Sequence, residues 1–70
     1  MKVVRVDSSS LAAISYDEST ALLIVEFKSG ARYRYFAVPK LTVARLLDSA
    51  SVGRAYHELI KGRFPYDQME

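Results

Sequence analysis

The chain has 70 residues, 50% of them apolar and 26% charged, with a formal net charge of +2 and no cysteine. That balance describes one small folded domain rather than a disordered or membrane-spanning chain. The absence of cysteine excludes disulfides, thiolate catalysis and the common cysteine-based zinc sites. A domain of this size keeps only a few kcal/mol of net stability, so an oligomer or a host protein is a natural setting for it.

After Met1 the run KVVRV is strand-like, either an edge strand or a segment lying across the sheet. It is no apolar signal region, and no apolar run reaches the ~18 residues of a membrane span, so a soluble, unexported, cytoplasmic protein is expected. Ser8 to Ser10 read as a loop, because serine side chains compete for nearby backbone partners. Leu11 to Tyr16 form a strand, Asp17 to Thr20 a turn, and Ala21 to Phe27 a second strand rich in β-formers. Lys28-Ser29-Gly30 then makes a three-residue hairpin loop with Gly30 left-handed.

The loop sets the register. It opposes Glu26 to Arg32, Val25 to Tyr33, Ile24 to Arg34 and Leu23 to Tyr35, so that apolar residues meet tyrosines on one face. A two-residue loop would set Glu26 beside Tyr33 and Phe27 beside Arg32, which suits burial less well. The strand ends at Val38-Pro39. Proline suits the first turn of a helix and keeps its predecessor extended.

Beyond Pro39 the period becomes helical, first through Val43, Leu46, Leu47 and Ala50. Ser51 is placed to cap a second helix with an apolar stripe of Val52, Ala55, Tyr56, Leu59 and Ile60, and Gly62 ends it. Gly30, Gly53 and Gly62 all read as turn and helix-end positions, which leaves no phosphate-cradling glycine loop. The predicted architecture is α+β: a three- to four-stranded antiparallel sheet followed by two short helices packed on one face. The domain is predicted over residues 1–66, with 67–70 as a short tail.

The ordered motifs VDSSSLAAISYD, L-x-V-x-F-K-S-G, YRYFAVP, S-x-G-x-x-Y and I-K-G-R-F-P-Y resemble the KTSC domain family over roughly Val6 to Tyr66. That family is named from the C-terminus of some lysyl-tRNA synthetases and also occurs as small bacterial proteins. The resemblance implies this fold, and through the synthetase setting it implies a link to RNA. Its hallmark Tyr-x-Tyr is here Tyr33-Arg34-Tyr35. Two local departures from the pattern stand out: Leu22 and Ile24 where polar residues are usual, and Val52 where a basic residue is common.

Candidate sites follow from the two faces of the hairpin. Tyr33 and Tyr35 share a face with Leu23 and Val25, which makes them packing residues before they are base-stacking ones. Arg32 and Arg34 point the other way, either solvated, with Arg32 beside Glu26, or in contact with phosphate and helped by Phe36. Leu22, Ile24 and Phe36 on that outer face form an apolar patch suited to a homodimer or protein contact, unless KVVRV or a tail covers it. Arg54, His57 and Lys61 recur along one helix edge and, with Lys40 and Arg63, form a basic rim. No serine has an evident base, no metal set or cofactor suggests itself, and an enzyme is not expected. A small binding module is expected, for RNA through the basic residues and an exposed aromatic, or for protein through the outer face.

Overall fold

The computed structural model describes residues 2–69, so Met1 and Glu70, the outer ends of the expected domain and tail, lie outside the described residues. Five strands, β1 (Lys2–Arg5), β2 (Leu11–Asp17), β3 (Leu22–Phe27), β4 (Arg32–Tyr35) and β5 (Tyr66–Met69), form one antiparallel sheet in the order β1-β2-β3-β4-β5. Helices α1 (Lys40–Asp48) and α2 (Val52–Leu59) intervene between β4 and β5. The fold is α+β as expected, but the sheet has five strands rather than three or four. KVVR lies in the plane of the sheet as an edge strand and does not cover its outer face. Residues 66–69, mostly assigned to a tail, return after the helices to form the opposite edge.

The β3–β4 register is the one the Lys28-Ser29-Gly30 loop predicts, from Leu23 opposite Tyr35 to Glu26 opposite Arg32. Gly30 has φ +97°, and its N–H donates to the Phe27 carbonyl at 2.9 Å. A bulge at Ala12 shifts the β2–β3 register between Leu11 and Ala13. Leu11 and Ile14 are three apart and would face opposite ways in a regular strand; the extra residue puts both in the core, where they are 0% and 1% exposed.

The inner face is packed by Val43 and Leu46 of α1, by Ala55 and Tyr56 of α2, and by Ile60 just after it. Pro39 takes the extended N-cap position and α1 starts at Lys40, one residue later than a first-turn proline would set it. Val38 is fully buried at this corner and doubly tied: its N–H donates to the Ala21 carbonyl at 3.0 Å, and its carbonyl accepts the Tyr16 hydroxyl at 2.6 Å. Ser51 caps α2 as expected, its Oγ accepting from the Arg54 N–H. After α2 the N–H groups of Ile60 and Lys61 both donate to the Tyr56 carbonyl, and Gly62 turns the chain with φ +79°.

Candidate nucleic-acid interface

The inner face is not fully covered. Phe27 of β3, Tyr33 and Tyr35 of β4 and Tyr66 of β5 lie on the side of the sheet that faces Tyr56 of α2. Together they line an open cleft of about 340 Å³. Strand alternation puts Tyr33 and Tyr35 on one face, and register sets Tyr66 opposite Tyr35. His57, Lys61 and Gly62 complete the lining from α2 and the turn that follows it.

The rings form a closed circuit of contacts. Centroid separations are 5.5 Å for Phe27–Tyr33, 5.9 Å for Tyr33–Tyr66, 5.4 Å for Tyr66–Tyr35, 6.0 Å for Tyr35–Tyr56 and 5.6 Å for Tyr56–Phe27. Four of these contacts are edge-to-face, and Tyr66–Tyr35 is tilted by 31°. The His57 ring packs on Tyr56 at 5.4 Å. At the floor the Tyr35 and Tyr56 hydroxyls meet at 2.5 Å. Burial pushes the Tyr35 phenol well above its ordinary range, and the hydrogen bond with Tyr56 pushes it further. Burial raises Tyr56 as well, against the opposing effect of that same bond.

The residues expected to bind RNA do not form one surface. His57 and Lys61 line the cleft, and Arg54 and Arg63 stand beside them, Arg54 paired with Glu58 at 3.2 Å and Arg63 donating to the Glu58 carbonyl at 2.7 Å. Lys40 lies elsewhere, at the start of α1, paired with Glu18 at 3.1 Å. Arg32, Arg34 and Phe36 belong to the opposite side of the sheet. Arg34 makes a two-pronged bond to Asp67 of β5, at 2.7 and 2.9 Å, which holds its guanidinium above the usual value. Arg32 stands opposite Glu26 without an ion pair among the described residues, so the expected Arg32–Glu26 contact is replaced by Arg34–Asp67. Tyr35 is core as expected, 3% exposed, whereas Tyr33 is half-buried in the cleft wall.

On the outer face Val3, Ile24 and Arg34 fall in one cross-strand row, and Leu22 lies on the same side. Val3 is 63% exposed, Phe36 is 41% exposed, and Leu22 and Ile24 are half-buried. The helices lie on the other face.

A second, polar pocket joins Ser8, Ser9 and Ser10 to Gly53, Arg54 and His57. Ser8 Oγ accepts from the N–H groups of Ser10 and Leu11 at 3.3 Å each, which is loop-capping geometry rather than that of an activated nucleophile. Gly53 is the second residue of α2, in the first turn at the helix end, as expected from the sequence. A Cβ there would meet Ser8 Oγ at 3.0 Å, so the serine loop packs closely on this turn and a larger residue would require the Ser8 side chain to shift by a few tenths of an ångström. Among the described residues no group of three or more His, Asp or Glu side chains is placed to hold a metal, and no helix is long and apolar enough to cross a membrane.

A sheet backed by two helices on one face, with a cleft left open beside them, defines a small α+β domain with one aromatic-lined concavity. The chain belongs to the KTSC domain family, whose model matches residues 7–64. It is 48% identical over 61 residues to an uncharacterised protein of Stutzerimonas stutzeri, covering 87% of this chain and 86% of that protein. It is 43% identical over 68 residues to a lysine–tRNA ligase of a Nostoc species, covering 96% of this chain but 12% of the ligase. The chain thus corresponds to a small segment of that enzyme. The crystal structure of a KTSC domain protein from Yersinia pestis superposes with a TM-score of 0.93 at 28% identity, covering 99% of this chain and 97% of that one.

Proposed function

We propose that this chain is a non-catalytic cytoplasmic module that binds RNA, tRNA-like in character, through the side on which the aromatic cleft opens. The observation that carries the reading is the sign of the charge around the cleft. Lys61 is the one formal charge among its lining residues, His57 lines it beside Lys61, no carboxylate lines it, and Arg54 and Arg63 lie nearby in the chain, both bonded to Glu58. The Arg54–Glu58 pair is solvent-exposed, so phosphate competes for Arg54 at little cost. The occurrence of the same module within lysine–tRNA ligases supports an RNA rather than another polyanion.

The test is fluorescence anisotropy with a labelled single-stranded RNA and a labelled tRNA over a salt series. Affinity falls with salt, with a log–log slope of about 0.7 for each phosphate neutralised on a single strand. Lys61→Ala/Arg63→Ala weakens binding and lowers the slope, while Arg32→Ala on the far side of the sheet has little effect. Absence of binding to either RNA at about 50 mM salt overturns the reading.

A second reading, homodimerisation or protein contact, is favoured by one observation: the helices leave the outer face uncovered, and β1 adds Val3 to the Leu22, Ile24 and Phe36 surface.

A further inference from the structure

We propose that the five-ring cleft receives one unstacked nucleobase of a single-stranded RNA, with the adjoining phosphate at Lys61. The inference rests on the RNA-binding reading and deepens it.

The circuit of rings has a floor and walls of different character. Tyr35 and Tyr56 are 3% and 5% exposed and serve the core. Tyr66 is 59% exposed on a short edge strand, where packing does not require so large a ring. The predominantly edge-to-face contacts hold the rings upright around the opening instead of closing it by parallel stacking. The hydroxyls divide in the same way. Those of Tyr16, Tyr35 and Tyr56 have partners, whereas among the described residues those of Tyr33 and Tyr66 make no hydrogen bond. Two phenols and the His57 imidazole are therefore available to the edge of a ligand.

A ring of aromatic side chains accepts either a cation or another planar ring. Charge decides between them. A quaternary ammonium would enter beside the Lys61 ammonium with no carboxylate to offset the repulsion. A planar ring tethered to an anion satisfies both features, with its face on the aromatics and its phosphate at Lys61. A nucleotide is such a ligand. Bases inside a duplex are already stacked, so the cleft selects for single-stranded or splayed-out positions.

The probes are octaadenylate, the same backbone abasic at every position, adenosine 5′-monophosphate, ribose 5-phosphate and choline. Binding is followed by anisotropy for the oligomers and by amide-resolved NMR for the small molecules. Tyr66→Ala and Tyr66→Leu (the latter keeping apolar bulk on β5) are checked for an unchanged unfolding midpoint. Expected results are a roughly 5- to 100-fold loss of octaadenylate affinity in both variants with the salt slope preserved, against a reduced slope in Lys61→Ala. Adenosine 5′-monophosphate should shift the amides of Tyr33, Tyr66 and His57, and ribose 5-phosphate should not. Equal affinity for the base-bearing and abasic octamers, or wild-type affinity in Tyr66→Leu while Lys61→Ala weakens binding, overturns the base pocket and leaves the RNA reading standing. Choline displacing the nucleotide overturns it in favour of a cation cage. Nucleotide binding at the cleft without any oligomer binding overturns the RNA reading and, with it, the assignment of the cleft to a base of single-stranded RNA.

Discussion

Two phenol hydroxyls bonded to each other in a core otherwise dominated by aliphatic carbon concentrate much of this domain's polar chemistry. Tyr35 and Tyr56 satisfy one another at 2.5 Å, and no buried side-chain polar atom among the described residues lacks a partner. Removing one hydroxyl strands the other. Tyr35→Phe is expected to cost about 1–3 kcal/mol, which for a domain of this size lowers the unfolding midpoint by roughly 4–8 °C per kcal/mol. Tyr35→Phe/Tyr56→Phe removes both hydroxyls and should recover much of that loss. The same pair predicts an alkaline limit. Both phenols are raised above their ordinary value in the fold, so the folded state favours their neutral forms. Their contribution is complete below the unfolded phenol value of about 10 and is lost as pH rises through the folded values. Thermal unfolding followed by circular dichroism from pH 7 to 12 should show a decline above about pH 10, shallower in the double phenylalanine variant.

At the scale of elements, the parts legible in the sequence are those whose pairing is local. The β3–β4 register follows from alternation and one left-handed glycine, and α2 from a serine cap and a helical stripe. The bulge at Ala12 has a trace in the sequence, two core residues three apart in a run of β-formers. The close approach of Ser8 to Gly53 has no local signal, because Ser8 is far away in the chain. β5 is the instructive case. Its YDQM is short, with three of its four residues exposed, so neither period nor propensity marks it as a strand. What places it is a partner: Asp67 meets Arg34 across 33 positions, and Tyr66 meets Tyr33 and Tyr35. The tyrosine face was readable from β4 alone, but the cleft also needs α2 and β5, whose positions are tertiary. Asp67→Asn weakens the bond to Arg34 while keeping the side chain's shape. It should speed amide exchange within 66–69 and leave β2 and β3 unchanged, as hydrogen–deuterium exchange can read.

For the whole molecule, the two sides of the sheet divide the work. One carries the helices, the core and the cleft; the other is open, with Val3, Leu22 and Ile24 beside an arginine already engaged by Asp67. If the outer face mediates association, sedimentation of the wild-type protein shows a mass that grows with concentration, and Ile24→Glu returns it to one copy without loss of fold. A mass of one copy at high concentration, unchanged by the substitution, overturns the second reading.

The position of β5 in the chain also has a bearing on synthesis. Strands β1 to β4 pair with sequence neighbours, and the largest buried residues, from Leu11 to Ile60, all precede β5. A growing polypeptide can therefore gather its hydrophobic interior before Tyr66 emerges from the ribosome, but it cannot complete the aromatic circuit until then. Burial of the interior thus comes before closure of the aromatic circuit along the chain, because Tyr66 follows every one of the largest buried residues.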